Sequence, residues 1–123
     1  MSHAKCILLL LLSAPVVAAA AEDTTGNKML TTCQTVVDLM DGRKTTGTTA
    51  DAGVCMGYLS GVRDMDIIYG TVNKSQSICV GEATPIELAR AVVKYFKSHT
   101  KELNSHPSYS IPRALISAYP CQK

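Results

Sequence analysis

Residues 50–72 read ADAGVCMGYLSGVRDMDIIYGTV. Cys55, Tyr58, Leu59, Val62 and Tyr69 recur at helical spacing, with Met65 on the flank, so the stretch predicts one long amphipathic helix. No proline interrupts it, and no period-two alternation competes with it. Gly57 and Gly61 lie four residues apart on one face. A glycine in a helix interior costs about 1 kcal/mol against alanine. The pair therefore predicts that another backbone comes close there. Asp64 follows Gly61 by three residues and borders the same face. Asp64 and its neighbour Asp66 read as solvated or paired with Arg63 or a lysine, against a structural or partner-contacting role.

Upstream, Leu30, Cys33, Val37 and Met40 repeat the helical spacing and Val36 widens the stripe, which predicts a helix over 27–41 stopped by Gly42. Threonine-rich stretches at 24–25 and 45–49 flank it and read as loop. Downstream, Thr84, Pro85 and Glu87 form a capping box with proline at the first helical position. Leu88, Ala91, Val92, Tyr95 and Phe96 then face inward. Arg90, Lys94, Lys97 and Lys101 fall on another face and make a basic stripe, if the helix runs that far. A charged stripe is ordinarily a solvated face, and the alternative is contact with an acidic partner. The polar stretch from His99 to Ser110, with Asn104, Ser105, His106 and Pro107, reads as a long loop of the kind that carries function. A short helix over 110–119 closes the chain. Ser110 caps it in this reading, Pro112 sits in its first turn, Leu115, Ile116 and Tyr119 point inward, and Pro120 stops it. The fold class expected is all-α, a small four- to five-helix bundle around one core.

Composition narrows the function. The chain has 123 residues, of which residues 1–21 differ from the rest. Met1 to Lys5 carries one cation, Cys6 to Leu12 is apolar, and Ala19-Ala20-Ala21 precedes Glu22 in the pattern a signal peptidase cuts. The expected organisation is a signal peptide over 1–21 and one helical domain over 22–123, exported and not inserted in the membrane. Without the leader the formal charge is +1, and there is no Trp. Such a chain lacks the clustered cations and aromatic faces that nucleic acid requires.

The leader takes Cys6 with it and leaves Cys33, Cys55, Cys79 and Cys121. Four cysteines in a small exported domain read as two disulfides. Their spacing is too wide for a zinc site, so no metal or other cofactor is expected. An antiparallel hairpin of the first two helices puts Cys33 about 12 Å and Cys55 about 7.5 Å from its closed end. Cys33–Cys55 with Cys79–Cys121 is therefore favoured. Cys33–Cys121 with Cys55–Cys79 stays open, given a shorter second helix or an extended return.

With these residues assembled, Cys55-Met56-Gly57-Tyr58-Leu59-Ser60-Gly61-Val62-Arg63-Asp64 resembles the C-x-G-Y-x-x-G-V-x-D segment of the Rap/Tai immunity proteins. Cys33, Cys79, the Val93-to-His99 end of the third helix, and Ala114-Leu115 with Ala118-Tyr119-Pro120-Cys121 stand in that family's order. Thr100, Pro112 and Val80-Gly81 depart from its pattern. The resemblance implies a disulfide-stapled, all-helical periplasmic protein, commonly a homodimer. Such a protein binds and blocks a peptidoglycan amidase delivered by type VI secretion, so the partner is that effector protein and the immunity protein is not an enzyme. The rigid scaffold and the polar stretch beside a basic face select Lys94, Lys97, Lys101, Asn104, Ser105 and His106 as the partner-binding set. Gly57, Tyr58, Gly61 and Asp64 form the structural motif. Three rival readings are a small periplasmic stress chaperone, an effector-less relative of the family and an enzyme. Acid opening would need more than two mature histidines and fewer cross-links, and no nucleophile–base pattern is visible.

Overall fold

The computed structural model describes residues 24–122. The leader expected over 1–21 lies outside the described residues. Four α-helices and one short 3-10 helix make up the described chain, and no strand forms there. An isolated bridge pairs Ile78 with Pro120.

Helix α1 spans Gly26–Met40. Thr25 caps it by accepting a hydrogen bond from the Lys28 N–H at 3.3 Å. It ends at Asp41, with Gly42 in the left-handed region just beyond, as the sequence expects. Helix α2 spans Thr49–Asn73 and opens on a capping box between Thr48 and Asp51. Helix α3 spans Pro85–Ser98 behind the Thr84–Glu87 box. Glu87 Oε2 accepts from both the Thr84 N–H and the Thr84 hydroxyl at 2.7 Å.

Helix α4 spans Pro107–Ala118, three residues earlier than the sequence reading placed it. Pro107 occupies its first position, where the missing N–H is not needed. His106 caps it, with Nδ1 accepting from the Ser108 N–H at 3.2 Å. Ser110 is therefore not a cap but a buried residue of the helix interior. Pro112 lies within the helix, and the carbonyl that loses its donor belongs to exposed Ser108.

The core joins Met29, Cys33, Val36 and Val37 of α1 to Cys55 and Leu59 of α2. It adds Leu88, Ala89, Val92, Val93 and Phe96 of α3, and Ile111, Ala114 and Leu115 of α4. Three side chains expected inside are outside. Met40 is 67% exposed, Tyr69 59% and Ile116 39%. Met40 is the last residue of α1, and Tyr69 lies in the half of α2 that runs past its neighbour.

Two disulfides staple the bundle, Cys33–Cys55 and Cys79–Cys121, with Cα separations of 5.1 and 4.9 Å. This is the favoured pairing of the two left open by spacing. Cys33 and Cys55 are fully buried at the α1–α2 contact. Cys79 and Cys121 sit at the surface, where the Cys79 N–H also donates to the Tyr119 carbonyl at 2.9 Å. Two disulfides fit an oxidising compartment outside the cytoplasm. No described helix is long and apolar enough to cross a membrane.

Asp66 is half-buried and has no ion pair among the described residues. Its two carboxylate oxygens accept from the Ser77 and Ile78 N–H groups at 3.2 and 3.0 Å and tie the chain after α2 back onto the helix. The exposed Asp64 reaches only its neighbour Arg63, at 3.7 Å.

Four carboxylates set an acid limit on stability. The Arg43 side chain, then Gln34, holds Asp38 below its ordinary 3.8, and Arg90 does the same for Asp41. The capping bonds from Thr48 lower Asp51 and those from Thr84 lower Glu87. A carboxylate whose folded pKa is depressed stabilises fully above its unfolded value and loses that contribution as pH falls through the folded one. The melting temperature is expected to hold at neutral pH and to fall below about pH 4. Asp41→Asn should show a shallower fall, because one of the four linked groups is gone. Thermal melts from neutral pH to about 2 check this.

Candidate functional site

The partner-binding set divides between three backbone settings. Lys94 and Lys97 project from α3 and are exposed. The helix stops at Ser98, so the basic stripe does not continue helically to Lys101. Lys101 and Asn104 instead sit on the 3-10 helix Thr100–Asn104. The stop is local. The Ser98 hydroxyl donates back to the Tyr95 carbonyl at 3.0 Å, and the His99 ring stacks on Tyr95 with centroids 4.0 Å apart.

The stretch 99–106 is thus an anchored arch and not the long free loop of the sequence reading. The Gly26 N–H donates to the Ser105 carbonyl at 2.9 Å, which ties the arch to the start of α1. Gly26 is required there: a Cβ would stand 2.5 Å from the Glu102 carbonyl oxygen and 3.0 Å from the Phe96 ring. The Tyr95 hydroxyl donates to Glu102 Oε1 at 3.1 Å, and Arg113 reaches the same oxygen at 3.2 Å. Burial, then the Glu102 carboxylate, pushes the Tyr95 phenol above its ordinary value. Ser105 and His106 therefore have structural duties as well, Ser105 through its backbone and His106 as the α4 cap. Lys101, Asn104 and His106 remain exposed, and Ser105 is half-buried.

Between α1 and α3 runs a groove of about 480 Å³ lined by Gln34, Val37, Arg43, Arg90, Lys94 and Lys97, among others. Its cations differ in availability. Asp41 receives Arg90, with the second guanidinium nitrogen at 3.1 Å, and Arg43 spans Asp38 and Asp41 at 2.8 Å each. Arg90, expected in the open stripe, is thus a clamp between α3 and the end of α1. Among the described residues, Lys94, Lys97 and Lys101 have no carboxylate within ion-pair distance, and the first two of them give the groove lining its uncompensated positive charge. A second groove of about 580 Å³ on the other flank of α3 also borders Lys94, together with Tyr95, His99 and Tyr119. The arch residues Lys101, Asn104, Ser105 and His106 line neither groove.

The structural motif behaves differently. Tyr58 is half-buried, and burial raises its phenol above the ordinary value. Gly57 and Gly61 do not meet a backbone: a Cβ at either would find nothing within 4 Å. The close approach occurs at Gly70 instead, where a Cβ would lie 2.7 Å from the Cβ of Gln76 as the chain turns back. Spacing alone does not distinguish these glycines, since the returning segment is set by the Asp66 bonds.

Chemically, the face offers cations and hydrogen-bonding groups on fixed elements. Among the described residues there is no group of three or more His, Cys, Asp or Glu side chains placed to hold a metal ion. No curated protein and no solved structure matches the chain. A family model does, that of the Rap1a immunity proteins, over residues 25–121. The match takes in every described helix and both disulfides, and the chain belongs to the Rap1a immunity protein family.

Proposed function

We propose that the protein is a periplasmic immunity protein, exported by a signal peptide over 1–21, that binds a type VI secreted peptidoglycan amidase and blocks its cleft. It acts as a homodimer and performs no chemistry of its own. Membership of an immunity family supports action by binding a toxic effector. The single observation that carries the choice of surface is the row of exposed lysines Lys94, Lys97 and Lys101, without partners, beside an arch tied down at both ends. Pinned elements lose little conformational freedom on docking, which favours tight binding. Rim cations without internal carboxylates accelerate encounter with an acidic surface.

The test is calorimetric titration of the oxidised protein against type VI secreted peptidoglycan amidases of the cysteine-nucleophile class. The triple variant Lys94→Ala/Lys97→Ala/Lys101→Ala should weaken binding by about tenfold or more and flatten its salt dependence. Asn104→Ala should weaken it further. Melting temperatures should stay close to the parent, because these side chains are exposed and unpaired. Unchanged affinity in the triple variant would move the docking surface elsewhere.

A further inference from the structure

The two disulfides stand in opposite settings. Cys33 and Cys55 are fully buried between α1 and α2, where a reductant meets them only after the core opens. Cys79 is exposed and Cys121 half-buried, each on a stretch outside any helix. Thiol–disulfide exchange needs an incoming thiolate to reach the sulfur that it attacks, so access governs the rate. The two stretches also differ in what else holds them. The one before Cys79 keeps its place without the link, because Asp66 accepts from the Ser77 and Ile78 N–H groups and the Ile78 side chain is buried in the core. The segment after α4 has less to hold it. The half-buried Tyr119 packs against the core, and the bridge between Ile78 and Pro120 brings the Cys79 N–H to the Tyr119 carbonyl at 2.9 Å. Tyr119 in turn walls the groove of about 580 Å³ that it shares with Lys94, Tyr95 and His99.

We propose that Cys79–Cys121 is an exchange site for a protein dithiol of the C-x-x-C class, and that exchange there frees the segment after α4 while the rest of the fold stands. The first thiolate of the dithiol attacks the Cys79 sulfur. A bond between the two proteins forms, the Cys79–Cys121 bond breaks, and Cys121 leaves as a thiolate that takes up a proton. The second thiol of the dithiol then gives up its proton and attacks the partner's own sulfur. Cys79 leaves as the second thiolate and is protonated in turn. The chain has gained two electrons and two protons, and the dithiol departs as a disulfide. Cys79 is the sulfur attacked because it is the more exposed of the two and sits on the anchored stretch. Cys121 sits on the loosely held one and can move away once released. An oxidised partner of the same class runs the steps backward, so the outer link is reversible where the inner one is permanent. The inference is independent of amidase binding.

The experiment incubates the oxidised protein with reduced thioredoxin, without denaturant, and alkylates the thiols at intervals. Two thiols should appear about 100-fold faster than the other two, and peptide masses should place them at Cys79 and Cys121. A thioredoxin whose second active-site cysteine is replaced by alanine should stall as a mixed disulfide on Cys79. In the two-thiol form, hydrogen exchange at the Cys79 amide should speed by about tenfold or more, while the Ser77, Ile78 and Gly26 amides keep their rates. Cys79→Ser/Cys121→Ser should reproduce that pattern and keep the helical circular dichroism, which separates local release from unfolding. Release of all four thiols together overturns the proposal, as does attack first at Cys33 or Cys55. A mixed disulfide on Cys121 also overturns it, and so does Cys79 amide exchange that reduction leaves unchanged.

Discussion

Replacing Cys33 and Cys55 together by alanine is expected to cost more stability than replacing Cys79 and Cys121, although the second disulfide closes the longer loop. The separations are 22 and 42 residues. In the chain-entropy view these loops contribute about 3.5 and about 4 kcal/mol, so loop length alone favours the second. Packing reverses the order. Cys33 and Cys55 are fully buried in the core, whereas Cys79 is exposed and Cys121 half-buried. Truncating two buried side chains adds about 0.5–1.5 kcal/mol each. The total for Cys33→Ala/Cys55→Ala then reaches about 4.5–6.5 kcal/mol, comparable with the whole net stability of many small domains. Urea titration of the two double variants should show the first partly unfolded without denaturant and the second folded with a lowered midpoint. The opposite order would mean that the core around the sulfurs relaxes freely.

Phe96→Ala is expected to be the most damaging single substitution outside the cysteines, at about 3–5 kcal/mol. The ring is fully buried, stands edge-on to Tyr95 with centroids 6.2 Å apart, and fills the space beside Gly26. It therefore supports both the core and the arch that bears Lys101 and Asn104. Its removal should lower the midpoint of unfolding. It should also speed hydrogen exchange at the Gly26 amide, whose acceptor is the Ser105 carbonyl. Native exchange at Gly26 in a destabilised variant would show that the arch holds without the ring.

These effects bear on what the sequence makes legible. The first three helices are readable because each carries an apolar stripe at helical spacing, and Gly42 and the Thr84-Pro85-Glu87 start mark two of their ends. The disulfide pairing is readable because a helical hairpin fixes the axial positions of Cys33 and Cys55. Burial along α2 is less so. Periodicity gives the direction of a face but not the length of the neighbour that covers it. With 15 residues α1 is about 22 Å long and with 25 residues α2 is about 37 Å, so Met65 and Tyr69 lie past the end of their cover. The start of α4 is ambiguous because His106-Pro107 and Ser110 both offer a beginning, and the proline at the first position prevails. For the site, exposure of the lysines follows from their spacing. The arch does not, because it is tied by backbone groups, Gly26 N–H to the Ser105 carbonyl, which leave no mark in residue type.

Both disulfides join cysteines that are consecutive in the described chain, the first with the second and the third with the fourth. For a polypeptide that threads outward amino end first, each thiol meets its correct mate as the next to arrive. The α1–α2 hairpin can be locked before α3 has emerged. Maturation in this order calls on an oxidant alone, with no reshuffling catalyst to undo mispaired intermediates. On the function proposed above, rapid oxidation on delivery shortens the interval in which a cell lacks its protection.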